Sequence, residues 1–243
     1  MTTPTIVLLH GVGLDHTMWE PVARLLEGEF DIVTPDLPGH GVHPPAAPGT
    51  KLADLADGVL HAIPAGSHLV GFSLGALVAQ HIARFHPDTV SSLTSVSSVY
   101  RRTDDERAAV LARLHTAEED FAAATDASLK RWYQDTEVPA DHILRTRSVL
   151  ESTDHASFLN CYRVFATGDA DIGPELGEIT VPALAITGQN DPGSTPEMTH
   201  RLAQAIPDCR EVIVARARHM MPVERPQEFV NHLTAFIGEH THV

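Results

Sequence analysis

Positive charge is scarce in this chain. Lys plus Arg number 17 against 32 Asp plus Glu in 243 residues, a net charge of −15. That balance speaks against phosphate backbones and anionic membranes as partners, and no nucleic-acid function is indicated. Long apolar runs are missing as well. The run near the start, Ile6 to Leu9, is far too short for a signal peptide or a membrane span, and no basic region precedes it. The expected location is the cytoplasm, with no membrane contact. The two cysteines, Cys161 in a helical stretch and Cys209 beside a late strand, read as buried free thiols rather than a disulfide. No HExxH or CxxC pattern offers metal ligands, and no glycine follows Gly13 at the spacing a dinucleotide fingerprint needs. Neither a metal nor a cofactor is expected.

What the chain does contain is Gly71-Phe72-Ser73-Leu74-Gly75. This is the GxSxG pattern, in which a strand ends, the backbone turns sharply and a helix begins, leaving the serine oxygen exposed at the top of a sheet. The apolar Leu69-Val70 precedes it, and Ala76 to Phe85 follows at helical spacing with Pro87 as the stop. Ala76, Ala79 and Ala83 share one face of that helix, which lets it press closely on a sheet.

Around this elbow, strand and helix alternate. Thr5 to Leu9 reads as a strand buried on both faces, running straight into His10-Gly11-Val12-Gly13. A helix from about Pro21, a strand over Asp31 to Thr34, a helix over Leu52 to Ile63 and the elbow strand His68 to Val70 follow, then a strand over Val90 to Val96. From Tyr100 to about Gly177 there is no strand-like run, only charged, alanine-rich helical segments such as Glu106 to Leu114, Ala117 to Ala124 and Ser157 to Phe165. Alternation then resumes with strands at Ala183 to Thr187 and Glu211 to Ala215, each followed by a helix. The expectation is an α/β fold with a mostly parallel sheet of about six strands: a core of residues 1–99 and 178–243, and a helical cap of residues 100–177.

A serine alone is a poor nucleophile, so the elbow asks for an acid and then a histidine further along the chain. Asp191 sits in the loop after the strand Ala183 to Thr187, and His219 in the loop after the last strand; both fall on the sheet edge that carries Ser73. The strand before them offers only Ser97, Ser98 and Val99, none an acid. Ser73, Asp191 and His219 are therefore the candidate catalytic residues. The backbone N–H of Leu74, at the start of the elbow helix, is a candidate donor to an oxyanion. Asp36, in a glycine-rich loop, reads as a turn organiser rather than a catalytic acid. Gly11 and Gly13 are equally readable as turn formers or as residues that admit close backbone approach. Asp15 and His16 are equally readable as pocket lining or solvated loop.

Together these residues resemble the α/β-hydrolase fold over nearly the whole chain: His10-Gly11 after the first strand, Pro35-Asp36-Leu37-Pro38-Gly39-His40-Gly41 after the second, the elbow, Gly188 to Asp191, and His219 with Glu224, Pro226 and Phe229 behind it. The run from His10 to Trp19 and the Cys161-Tyr162-Arg163 region are most similar to the 3-oxoadipate enol-lactonase and carboxylesterase branch. The resemblance implies that Val12 supplies the second oxyanion donor. It also shows a departure, since the residue before the histidine is often glycine in that family and is Arg218 here. The insertion offers Trp132, Phe158, Tyr162 and Phe165 as apolar wall and Arg101, Arg102 and Arg163 as charge; Met220, beside His219, offers another apolar surface. Trp132, Arg163 and Met220 are the candidate substrate-binding residues. One reading has these arginines paired with the insertion's acids, the other has one of them gripping a substrate carboxylate. The leading expectation is hydrolysis of a small-molecule carboxylic ester or lactone through an acyl-enzyme. Amide, thioester or carbon–carbon cleavage, perhydrolysis by the same triad, or a slow-turnover receptor stay open.

Overall fold

Strands that are apolar at successive positions need cover on both faces. In the computed structural model, which describes residues 3–240, six of them supply the sheet: β1 (Thr5–Leu9), β2 (Asp31–Val33), β3 (Ser67–Phe72), β4 (Val90–Val96), β5 (Ala183–Gly188) and β6 (Cys209–Val214). Their order is β2-β1-β3-β4-β5-β6, and every neighbouring pair is parallel. β3 and β5 are buried at every position, whereas the edge strand β6 is mostly open. From β1 the chain steps outward to β2 and then crosses back to β3. The crevice between the carboxyl ends of β1 and β3 is thus the point where strand order reverses, the usual ligand position in an open parallel sheet. Leu9 and Gly71 are register partners there, so the loop after β1 and the elbow after β3 emerge side by side.

The helices of the core are α1 (Glu20–Leu26), α2 (Leu52–Leu60), α3 (Leu74–Phe85), α8 (Pro196–Ala205), the single turn α9 (Met221–Glu224) and α10 (Pro226–His240). α2 buries Leu52, Leu55, Ala56 and Val59, the face its spacing predicts. α3 is buried nearly all round, from Leu74 to Gln80 and again at Ile82 and Ala83. It packs on β3 and β4 and is covered by α2 and by the insertion. Cys161 is buried and Cys209, within β6, is half-buried; both are free thiols.

Between β4 and β5 lie four more helices: α4 (Asp104–Glu119), α5 (Phe121–Tyr133), α6 (Ala140–Ser152) and α7 (His155–Ile172). The stretch Ala117 to Ala124, expected as one helix, straddles a break. Asp120 closes α4 with its own N–H on the Thr116 carbonyl, and its carboxylate caps α5 by accepting from the Ala123 N–H at 2.9 Å. α7 joins the insertion to the core. Its Ser157 hydroxyl donates to the Gly39 carbonyl at 2.7 Å and accepts from the Ala46 N–H, while the Asn160 amide donates to the Ala46 carbonyl. The proline-rich loop Pro44 to Pro48 is therefore stitched to the insertion.

Close packing at the elbow makes a stability prediction. A Cβ on Gly75 would lie 2.5 Å from the carbonyl oxygens of both Leu9 and His10, backbone atoms that cannot swing away. Around Gly28, where φ is +87°, nothing lies within 4 Å. Gly75→Ala should cost about 3 kcal/mol or more in urea unfolding, and Gly28→Ala only about 1–2 kcal/mol for its left-handed backbone. Equal losses would contradict this account of the packing.

Candidate active site

β3 passes into α3 through a single residue, Ser73, whose φ of 54° and ψ of −110° no side chain adopts cheaply. The flanking glycines explain how the turn is tolerated. A Cβ on Gly71 would run into the Gly75 carbonyl, and one on Gly75 into the end of β1. Ser73 is anchored by its N–H on the Val96 carbonyl at 2.9 Å, which leaves the side chain at the head of α3.

Asp191 and His219 arrive from the ends of β5 and β6. The two loops are locked together: the Gln189 N–H donates to the Val214 carbonyl and the Asn190 N–H to the Ala217 carbonyl, both at 2.8 Å. Gly188 is required at this junction, since a Cβ would collide with the carbonyls of Ala217 and Arg218. The outcome is a hydrogen bond of 2.7 Å from His219 Nδ1 to Asp191 Oδ2. A carboxylate only accepts, so Nδ1 carries a proton, and in the neutral tautomer this leaves Nε2 as the acceptor. The other Asp191 oxygen accepts from the N–H groups of Gly193 and Ser194, each at 2.9 Å. Burial alone would push the Asp191 carboxyl up; the charge and hydrogen bond of His219 and these two N–H groups outweigh it and hold it below the usual range. Ser97, just past β4, donates its hydroxyl to the His219 carbonyl at 3.1 Å. Ser97 thus supports the histidine, a role no sequence signal announced.

The loop after β1 is laced to the loop after β2 by two histidines. His10 Nε2 accepts from the Leu37 N–H and His40 Nε2 accepts from the Gly13 N–H, both at 2.9 Å. Their other nitrogens face the carbonyls of Gly11 and Pro38, so both rings are neutral. Burial drives His10 down to about 4 and His40 to about 3. Asp36 accepts from the His16 N–H at 2.8 Å and from His16 Nδ1 at 2.9 Å, which is the organising role its loop suggests. Gly11 and Gly13 are sites of close approach: a Cβ on Gly11 would press on Phe72 and Ser73, and one on Gly13 on Phe158 and Leu150. With Gly13 and Leu14 N–H groups engaged, the Val12 N–H has no partner among the described residues. Leu74, as the first residue of α3, has no intrahelical acceptor for its own.

Ser73, Val12, Asp191 and His219 line one narrow cavity, closed from the insertion by Arg113, Arg131, Trp132, Tyr162 and Phe165. Trp132 stacks over the His219 ring with centroids 6.0 Å apart. Two other candidates do not reach it. Arg163 is half exposed and bound to Glu118 at 2.5 Å and to Asn160, because α7 turns that position outward. Met220 is fully buried in the core, where its carbonyl accepts from Val223 and Glu224 to start α9. Nor do the other charged candidates serve. The Arg102 side chain is 1% exposed and bound to Asp169, Arg101 is exposed beside a separate groove, Asp15 caps the turn at His16–Trp19, and His16 is held by Asp36. The arginines of the cavity are instead Arg113, whose Nε donates to the Tyr162 hydroxyl at 3.4 Å, and Arg131, whose Nη2 donates to the Ser128 hydroxyl at 3.0 Å. Among the described residues neither has a carboxylate in salt-bridge reach. Burial draws the Arg131 guanidinium below its usual range. Among the described residues no cluster of three or more His, Cys, Asp or Glu could hold a metal ion, and no helix is long and apolar enough to cross a membrane.

A six-stranded parallel sheet with a serine elbow at its switch point, and an acid and a histidine after the last two strands, is the layout of a hydrolase scaffold. The family pattern for the alpha/beta hydrolase family matches residues 6–232, and the chain belongs to that family. It is 28% identical over 236 residues to (E)-2-((N-methylformamido)methylene)succinate hydrolase of Acinetobacter baylyi, covering 96% of this chain and 89% of the relative. It is 29% identical over 241 residues to 3-oxoadipate enol-lactonase 1 of the same organism, covering 96% and 88%. The crystal structure of the enol-lactonase from Burkholderia xenovorans LB400 superposes with a TM-score of 0.84 at 28% identity, over 98% of this chain and 92% of that one. These likenesses support a hydrolase.

The neutral histidines make the fold sensitive to acid. In the folded chain His10 and His40 hold their protons far more weakly than at the ordinary 6.5, so the unfolded chain binds more protons below that value. Their contribution to stability is complete above about pH 6.5 and is lost as pH falls toward 4 and 3. Urea unfolding should show the decline starting there, ahead of the carboxylates. His40→Gln, whose amide oxygen accepts from Gly13 without taking a proton, should remove roughly 2–3 kcal/mol of the loss between about pH 6.5 and 4.5. An unchanged slope in the variant would contradict the assignment.

Proposed function

We propose that the protein is a serine hydrolase that cleaves a carboxylic ester or lactone of a small molecule bearing its own carboxylate. The observation that carries this reading is the 2.7 Å Asp191–His219 hydrogen bond in the wall of a cavity that Ser73 also lines. Ser73 Oγ attacks the substrate carbonyl while His219 Nε2 takes its proton. Asp191 holds the Nδ1–H and stabilises the imidazolium that forms. No hydrogen bond links Ser73 to His219 in the structure, and the reading requires it to form as substrate enters. The negative oxygen of the tetrahedral intermediate takes the N–H groups of Val12 and Leu74, the latter favoured by the N-terminal end of α3. His219 then gives its proton to the departing oxygen, and water, deprotonated by His219, releases the acid from Ser73.

The carboxylate follows from charge. In a protein with 32 acids, two part-buried arginines line this cavity, and among the described residues neither has a carboxylate in salt-bridge reach. A charge withdrawn from water without a partner is costly, and a ligand carboxylate offsets that cost through two parallel N–H···O bonds. The likeness to an enol-lactonase and to a hydrolase whose name contains succinate supports the same reading. A second reading, cleavage of an amide bond by the same groups, is favoured by the formamido group in the latter name.

Ser73→Ala should lower turnover of an activated ester by about four orders of magnitude or more in folded protein. Retention of most activity would sink the assignment. Between monomethyl succinate and methyl butyrate, which differ by a carboxylate, the wild type should prefer the former. Arg131→Ala should cut that preference by about tenfold, as expected for roughly 1.4 kcal/mol of charge-assisted binding, while Arg163→Ala leaves it unchanged. Preference for the neutral ester, insensitive to Arg113 and Arg131, would leave the pocket simply apolar.

A further inference from the structure

The residue before His219 carries a bond that the hydrolytic reading does not use. Arg218 reaches across to the insertion and donates from Nε at 3.2 Å and from Nη2 at 3.1 Å to one atom, the Arg131 carbonyl oxygen. That oxygen lies in the last turn of α5, where a helix leaves its final carbonyls without intrahelical partners and a cation is favoured by the helix dipole. Arg218 itself is fixed at its base. Its N–H donates to Glu224 Oε2 at 2.7 Å, and its carbonyl is packed on the Gly188 turn so tightly that a Cβ there would lie 2.5 Å away. No carboxylate lies within 4 Å of its guanidinium among the described residues, so this carbonyl is its partner. At the far end, Arg131 lines the cavity, and the next residue, Trp132, stacks on the ring of His219.

We propose that Arg218 is a positioning residue: a tertiary cap on the C-terminus of α5 that fixes Arg131 and Trp132 over the cavity and couples the seat of the insertion to the loop carrying His219. Glycine at this position would leave α5 uncapped and its end free to shift away from the histidine. The forked guanidinium is suited to the task because two N–H groups on one oxygen restrict both distance and direction, whereas an ammonium restricts distance alone. The role of the strap is to place the group that recognises the substrate's charge; the bond-breaking groups keep their own supports in Ser97, Gly193 and Ser194. It rests on the proposed function, with Arg131 as a carboxylate contact.

The test compares wild type, Arg218→Ala and Arg218→Lys, each checked for folding by circular dichroism, on monomethyl succinate and methyl butyrate. Arg218→Ala should raise KM for monomethyl succinate about tenfold while kcat, and both parameters for methyl butyrate, change less than about threefold. Arg218→Lys should recover part of the loss. Titration calorimetry with succinate should show the same tenfold weakening in Arg218→Ala. Equal effects on the two esters, an unchanged KM, or no recovery by lysine overturns the proposal. Should wild type hydrolyse neither ester, the hydrolytic reading fails by itself, and the strap is judged by the succinate titration: equal affinities in wild type and Arg218→Ala overturn it, a weakened one upholds it. If Arg218→Ala does not fold, Arg218→Lys against wild type gives the same comparison with a smaller shift, and its absence counts against the strap.

Discussion

Everything at the site depends on a strand and a helix being joined with no loop between them. β3 ends at Phe72, α3 begins at Leu74, and Ser73 takes up the whole change of direction at a φ of 54°. A backbone conformation of that kind costs on the order of 1–3 kcal/mol and persists only where its surroundings leave no alternative. Here the surroundings are the carbonyls of Leu9 and His10, against which Gly75 is pressed, and the Val96 carbonyl that takes the Ser73 N–H. The same contact that forces the turn brings the loop after β1 alongside Ser73, so the strain and the candidate oxyanion donors have one origin. Relaxing the elbow would move both.

The charges around the elbow are arranged by burial rather than by number. His10 and His40 are kept neutral so that each can accept a backbone N–H, which pins the loop carrying Val12 from two sides. Asp191 is kept ionised in an equally buried setting because His219 and two backbone N–H groups face it. Arg113 and Arg131 line the cavity with no carboxylate in salt-bridge reach among the described residues, whereas Asp169 pairs with Arg102 and Arg107 and Glu118 with Arg163. Two arginines thus stand in the same cavity wall as the ionised Asp191, and on them the proposed preference for a carboxylate rests.

The parts of this arrangement that were legible in the sequence are those written into a local pattern. The elbow, the buried strands β1 and β4, the α2 face and the positions of Asp191 and His219 after β5 and β6 each follow from spacing within a few residues. What was not legible depends on which way a long helix faces. α6 buries only Thr146 and Leu150 and leaves Leu144 outside, so its periodicity is too weak to mark it as a helix. Arg163 and Arg131 are equivalent as residues; α7 turns the first toward Glu118 and α5 sets the second in the wall of the cavity that Ser73 also lines, a difference set by how two helices pack. Met220 follows His219 in sequence, yet the chain has already entered α9 and the side chain has left the cavity. Ser97 stands where an acid would be sought and carries no motif of its own, yet its hydroxyl holds the His219 carbonyl.

The central claim is that Ser73 is a nucleophile made reactive by His219. The most direct measurement is covalent: incubate the protein with paraoxon, which transfers a diethylphosphoryl group to an activated serine oxygen, and locate the adduct by mass spectrometry of the peptides. The account predicts one adduct per chain, on Ser73, and its loss in folded His219→Ala. An unmodified protein, an adduct on another serine, or labelling of Ser73 that persists at full rate without His219 would contradict it.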